Sequence, residues 1–462
     1  PSGATIQNLG TATGFGGTGV VSWETSSIKT AGFTAVTGTG YFCNTTGGAF
    51  TVTLPLSPSA GAVVGVSDYA KTFDTDNLTL GRNGSNIGGL ALDSSISTEG
   101  LAVTLVYVDA TKGWIVTDSG LQSDTPGPQY LTATGGCITT CGNFKMHTFF
   151  SPGTLCVSAV GNPAGSNTIS YMVVAGGGGV DTSNPGSIGG GGAGGFREGK
   201  SSQDTYTSSP LACTAGANAG LPVAVAAYPV TIGAGGTGGP TGCTDAATPG
   251  SNSVFSGTTI ITSAGGGKAK ANPPHSTTND GGSGGGGPTF PAPTQSPPQI
   301  GSGNTPPVAP PQGNTGGFGL LPAPATYAGG GGGGATGVGA AASTPKGGDG
   351  GTGAGTAINL TTMPAPSPTP SAQIGTPGPT PAVRYFSGGA GGASGREPTG
   401  SSIPAGAGGS GGGGAGGARV AGTAGTTNTG GGAGGTGYGP TGPTFTGAAG
   451  GSGIVVIRYK YQ

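Results

Sequence analysis

The residues Gly194–Ser201, GGFREGKS, fit the spacing G-x-x-x-x-G-K-[ST], in which backbone amides and a lysine cradle phosphates. That chemistry needs a buried strand before the loop and a helix N-terminus after it. Here IGGGGAG precedes the stretch and SQDTYTSSPL follows it, which supplies neither. In a chain with 109 glycines such a match arises by composition, and the segment reads as a glycine loop. Gly-x-Gly-x-x-Gly spacings recur for the same reason. Asp74-Thr75-Asp76-Asn77 opens like a calcium loop but lacks the later Gly and Glu, so it reads as a polar turn. Gly347-Gly348-Asp349-Gly350 is a single Gly/Asp unit where calcium-binding repeats need tandem copies.

Catalysis asks for a base beside a nucleophile or for paired carboxylates. His147 lies in a β-like run and reads as a strand residue. His275 sits in a Pro-rich loop with no acidic neighbour nearer than Asp280. No carboxylate pair stands out, so no catalytic, cofactor or metal site is expected and the chain does not read as an enzyme. The six cysteines are Cys43, Cys137, Cys141, Cys156, Cys213 and Cys243. Disulfides or free thiols are expected: Cys137 or Cys141 with Cys156, and Cys213 with Cys243, are candidate pairs. Cys137 and Cys141 also have half-site spacing for zinc, but no second close cysteine pair exists to complete it. Asn44, Asn77 and Asn359 head N-glycosylation sequons, which matter in a secretory pathway.

The elements that would position these residues follow from periodicity. Residues 1–20 read as a tether. Residues 21–118 read as a β module: Phe50, Val52 and Leu54 alternate, as do Val103, Leu105 and Tyr107. Asn83-Gly84 suits a tight hairpin turn, and Lys112-Gly113 a loop between Leu101–Val108 and Trp114–Val116. Residues 119–135 read as a linker and 136–175 as a second β segment. From 176 to 452 uninterrupted glycine runs dominate. Strand-like phrases lead into several of them: ISYMVVA, AVAAYPVTIG, TTIITSA and PAVRYFS, with GIVVIRYKYQ closing the chain at 453–462. Strand-then-glycine repetition predicts a β hub with glycine arms that leave and return. Extended polyglycine type II helices would order such arms, having three residues per turn and outward-pointing N–H and C=O groups. Collagen is excluded because glycine does not hold every third position for long. Disordered linkers are the competing reading.

Two Pro-rich insertions, 288–325 and 363–382, interrupt the arms. Each reads either as a recognition loop or as a spacer or O-glycosylated segment. Phe290, Phe318, Tyr327, Tyr385, Phe386, Tyr438 and Phe445 are candidate partner contacts, since aromatic rings give rigid contact area at small entropy cost. The competing role for these rings is to staple the arms together.

Of 462 residues, 109 are Gly and 38 are Pro, about a third together against roughly 12% ordinarily. Net charge is −1, which gives no basis for nucleic-acid or anionic-membrane binding. No run of about 20 apolar residues exists to span a membrane as a helix. No signal peptide is legible, and a first residue of Pro rather than Met leaves room for an upstream segment.

The phrases GNFKMHTFFSPGTLCV, ISYMVVAGGGG, GGGGAGGFREG, YPVTIGAGG, GSNSVFSGTTIITSAGGG and GGSGIVVIRYKY resemble the glycine-rich domain of phage tail fibre and adhesin proteins, over residues 142–462. FTVTLPLSPSAGAVVGVSDYAKTFDTDNLTLGRNGSNIGG with VTLVYVDATKGWIV resembles a β module of tail fibres of aquatic phages. The resemblance implies a polyglycine helix sandwich whose variable loops meet a host glycan or outer-surface protein. By analogy it also implies a homotrimeric, extracellular part of a virion. The six cysteines and long Pro-rich insertions depart from that pattern. A self-assembling extracellular or cell-surface filament, open to glycosylation and joined to its neighbours by strand addition, is the alternative expectation.

Overall fold

The structure, a computed structural model, describes residues 21–121, 129–162, 165–182, 187–216, 219–241, 245–270, 279–289, 300–320, 327–344, 346–362, 364, 368, 372–395, 403–437 and 445–462. The chain forms two compact units, divided in sequence between residues 127 and 128. All regular elements among the described residues are β-strands, so the expected all-β class holds.

The first unit contains β1 (Ser22–Lys29), β2 (Phe33–Thr34), β3 (Thr39–Cys43), β4 (Phe50–Thr53), β5 (Val63–Asp68), β6 (Leu78–Gly81), β7 (Ser94–Ile96), β8 (Leu101–Asp109) and β9 (Gly113–Leu121). One sheet is ordered β1-β3-β5-β8-β9 and the other β2-β4-β6-β7. Successive strands β1 to β6 therefore alternate between sheets, and sheet neighbours among them run parallel. The result is a coil of three rungs, closed on one side by antiparallel β7, β8 and β9. Alternation along each strand sends Tyr41, Val64, Val66 and Leu105 from one sheet to meet Val52, Leu54, Leu78 and Leu80 from the other. The Lys112-Gly113 loop joins β8 to β9 as expected. The Asn83-Gly84 turn forms, with φ of 45° and 90°, and Ser85 N–H donates to Arg82 C=O at 3.0 Å. It is not a two-residue hairpin, however. β7 pairs with β6 only after residues 82–93, because Asn83 turns a corner of the coil and donates to Leu54 C=O.

The second unit contains β10 (Thr132–Thr134), β11 (Cys137–Cys141), β12 (Phe144–Phe149), β13 (Gly153–Ala159), β14 (Thr168–Val174), β15 (Phe196–Gly199), β16 (Ala212–Cys213), β17 (Leu221–Pro222), β18 (Ala226–Thr231), β19 (Ser253–Ser256), β20 (Ile260–Ser263), β21 (Ala354–Thr356), β22 (Arg384–Phe386) and β23 (Ile454–Lys460). The larger sheet runs β11-β12-β23-β14-β15-β16, with β17 beside β14. The smaller runs β10-β13-β18-β19-β20. The last strand of the chain thus lies in the middle of the larger sheet, antiparallel to β12 and β14. On one face Ile169, Tyr171, Val173, Val455 and Ile457 pack on Leu155, Tyr228, Val230 and Phe255 of the smaller sheet. On the other, Met172, Val174, Ile454 and Val456 pack on Phe196, Ile358 and Phe386. Burial on both faces explains why ISYMVV and IVVIRY are continuous apolar phrases rather than alternating ones.

The glycine runs form no strands, yet their hydrogen bonds are regular. Gly190 and Ala193 donate to Gly330 and Gly333, Gly191 and Gly194 to Ala433 and Gly430, and Gly192 and Gly195 to Gly267 and Ala264. Residues 175–180 repeat the pattern toward 195/192, 251/248 and 451/448. Every third N–H meets the same neighbour three residues further along. Space, not φ, demands glycine here. A Cβ on Gly332 would lie 2.0 Å from Gly191 O, one on Gly190 2.1 Å from Ala390 O, and one on Gly177 2.1 Å from Gly431 O. Purity follows depth: Gly176–Gly179, Gly189–Gly192, Gly284–Gly287 and Gly329–Gly334 are wholly buried. In the outer segment 233–240, Gly233, Gly236 and Gly239 are buried while Ala234, Thr237 and Pro240 are exposed.

Candidate functional site at the arm ends

Residues 175–181 leave β14, and 188–195 return antiparallel to them and enter β15. The same out-and-back path joins β18 to β19 and carries the chain from β22 to β23. Described residues that flank these turn-arounds meet one another where the arms end. Leu320 bridges Ala328, Ala328 bridges Ser394, and Ser394 bridges Ala418. Thr289 N–H donates to Ser187 C=O at 2.9 Å.

The expected contact residues divide between the two ends. Phe318 is 52% exposed and Tyr327 and Phe445 are half-buried, all three near turn-arounds. Gly395 N–H donates to Tyr327 C=O at 2.7 Å, tying two of these turns together. Phe290 and Tyr438 lie outside the described residues. Tyr385 and Phe386 are corrected: they sit in β22 at the sheet end and are 8% and 1% exposed. A Cβ on Gly378 would meet the Tyr385 ring at 2.3 Å, and Phe386 belongs to the core beneath the larger sheet. They are staples with no free ring face. Within the first Pro-rich insertion, 300–320 is pinned to the array rather than free. Gln312, 1% exposed, accepts from Ala264 N–H at 2.8 Å and donates to Pro306 C=O, and Asn304 Oδ1 accepts from Val308 and Gln312.

Among the described residues, one charged cluster lies near the arm ends. Lys268 and Lys270 hold Asp245 at 2.7 and 2.9 Å, and the Lys268 hydrogen bond keeps that carboxyl below its ordinary range. Asp181, buried beside them, accepts from Ala247 N–H at 2.7 Å, and burial raises its pKa.

Other sequence candidates resolve into packing. Gly194–Ser201 runs into β15 rather than looping before a helix, which removes the phosphate cradle. Inside it, Glu198 is 2% exposed and accepts from Ser209 N–H at 2.9 Å and Thr356 Oγ1 at 2.6 Å. Burial raises its pKa. His147 is buried, its Nδ1–H donating to Gly135 C=O at 2.6 Å and its Nε2 accepting from the Tyr459 hydroxyl at 3.0 Å. Burial holds its pKa below the ordinary 6.5.

Cys43, Cys137, Cys141, Cys156 and Cys213 are free thiols, and Cys243 lies outside the described residues. The expected bridge to Cys156 does not form. Cys137 and Cys141 end one strand of the larger sheet, about 13 Å apart, while Cys156 lies in the smaller sheet. Among the described residues no three of His, Cys, Asp and Glu converge. Asn77 is exposed and Asn44 half-buried. Asn359 is corrected as a glycan acceptor. It is 2% exposed and donates to Thr148 Oγ1 at 3.1 Å and Thr139 Oγ1 at 3.3 Å.

Two features escaped the sequence reading. Arg458, in the central β23, pairs with buried Asp204 at 2.9 Å and lies over the Phe144 and Tyr206 rings. No local signal links residues so far apart in sequence. The second is the three-residue exposure of outer arms, which was readable in Ala234-Gly-Gly-Thr237-Gly-Gly-Pro240.

A β-hub whose strands feed hydrogen-bonded glycine arms defines the class. The glycine-rich domain family model matches residues 152–460, and the chain belongs to that family. A comparison with curated proteins returned no match. Among the described residues no helix is long and apolar enough to cross a membrane.

Proposed function

We propose that this chain is a structural subunit of a phage tail fibre or adhesin, and that loops at its arm ends contact a host-surface glycan or outer-surface protein. The observation that carries this reading is that the described residues flanking several arm turn-arounds bond to one another within a hydrogen-bonded array. Loops held on a rigid scaffold are suited to recognition, since they lose little entropy on binding. The three-residue hydrogen-bond period supports reading the arms as polyglycine type II helices. The role proposed is non-catalytic; Glu198 and His147 are buried and engaged in hydrogen bonds within the fold. Phe318, Tyr327 and Phe445 remain as candidate contacts, as do Phe290 and Tyr438 outside the described residues, and a homotrimer on a fibre axis is the assembly proposed.

One observation favours a filament as second reading: β1 and β9 are the outermost described strands of their sheet and offer edges for strand addition. Against it, β1 is irregular between Glu24 and Lys29, and bulged, charged edges resist such pairing. Image reconstruction of the native assembly tests the proposal. A closed three-fold with the arm ends outward supports the fibre; an open helical repeat joined through β1 and β9 overturns it.

A further inference from the structure

Trp23 lies on the outer face of the first unit's larger sheet, opposite Gly40, which in turn lies opposite Gly65. A Cβ on Gly40 would lie 2.7 Å from Trp23 Cδ2 and Cε3, and one on Gly65 3.3 Å from its Cη2. Neither glycine has a positive φ; clearance for the indole is what requires glycine at position 40, while at position 65 a Cβ would press first on Val21 Cγ2 at 3.1 Å and then on the ring. The ring is seated on two bare backbones, steadied by Phe42 at 5.1 Å, and remains 38% exposed. Along the edge of β1 runs an open depression of about 320 Å³, lined by Ser22, Trp23, Glu24, Thr25, Ser26 and Thr39. Glu24 accepts from the Ser26 hydroxyl, so its carboxylate is held at the rim. The outer edge of β1 pairs with no described strand and adds backbone donors and acceptors.

The depression is lined by one aromatic residue, four hydroxyl residues and a carboxylate, with little other apolar surface. By strand alternation Thr25 shares the indole's face of β1 while Ser22 and Glu24 lie on the other, so a ligand on the ring reaches them only across the open edge of the strand. An apolar partner would leave those polar groups unpaired, which opposes binding. A polyhydroxylated ring fits both parts: its C–H face covers the indole, and its hydroxyl groups exchange hydrogen bonds with the rim. We propose that Trp23 and this rim form a saccharide-binding site in the first unit. It is separate from the arm ends and does not depend on their role.

The chain contains two tryptophans, and Trp114 is fully buried, so a change in indole emission on ligand addition reports on Trp23. The full chain is titrated with chitohexaose, maltohexaose and lipopolysaccharide core oligosaccharide. The expected result is a saturable emission change and reduced acrylamide quenching with at least one probe. Affinity should fall at least tenfold in Trp23→Ala, fall in Glu24→Gln, and be partly kept in Trp23→Phe. Gly40→Ala, which displaces the ring while keeping it, should weaken binding with an unchanged circular dichroism spectrum. Emission unmoved by all three probes overturns the assignment, as does binding that survives Trp23→Ala. Concentration-dependent self-association that shields Trp23 also overturns it, in favour of a protein partner. Saccharide binding that persists when the arm ends lose cell adsorption, or the reverse, separates this site from the proposed function.

Discussion

Asp68 shows how much single residues carry in a chain with only 7% charged residues. Its buried carboxylate accepts from Thr72, Phe73 and Gly100 N–H at 3.1, 3.1 and 2.9 Å. Asp68→Ala strands these donors, and the first unit should lose about 3 kcal/mol or more, read by denaturant unfolding. Glycines of the array act through space instead. Gly332→Ala, with its Cβ 2.0 Å from Gly191 O, should cost about 1–3 kcal/mol or prevent folding, whereas exposed Thr237→Ala should stay within about 0.5 kcal/mol. His147 gives a pH dependence. Its folded pKa lies below 6.5, so the unfolded chain takes up the proton first as pH falls. Its contribution to stability is present above 6.5 and lost as pH drops through the folded value. Glu198 acts oppositely: its raised pKa gives a contribution present below 4.5 and lost as pH rises through the folded value. Between pH 7 and pH 5 the His147 contribution lowers the melting temperature and that of Glu198 opposes it, so the melting temperature at pH 5 relative to pH 7 should be higher in His147→Gln than in the parent.

At the scale of elements, β23 governs the second unit. Six of its residues face β12 and five face β14, so removing it divides the larger sheet. A chain ending at residue 453 should lose the second unit's cooperative unfolding transition while keeping the first unit's, and a peptide spanning 454–462 should restore it. Arg458→Met in that peptide should weaken complementation, because buried Asp204 then loses its partner at 2.9 Å. The strand phrases ISYMVVA, YPVTIG, TTIITS, PAVRYFS and GIVVIRYKYQ are legible in sequence as β14, β18, β20, β22 and β23. Each combines apolar residues with a glycine boundary. The parallel rungs of β1 to β6 are not legible, because inward-outward alternation reads alike in parallel and antiparallel sheets. Nor is the burial of Asn359, Tyr385 and Phe386. Local pattern cannot tell which side chains a returning loop will cover.

For the whole molecule, composition states the problem and hydrogen bonding answers it. Glycine loses more backbone entropy on ordering than any other residue and brings no side chain to bury. The array offsets this through N–H and C=O groups paired across close contacts that a Cβ would block. Residues flanking the turns of these arms bond to one another, and the proposed receptor-contacting role depends on that. The direct test is a density map of the native assembly at a resolution that traces main chain. The account predicts continuous density for residues 175–181, 188–195 and 329–334, with three residues per turn and the turns at the outer end of a three-fold fibre. Arms absent from an otherwise well-resolved map would contradict it.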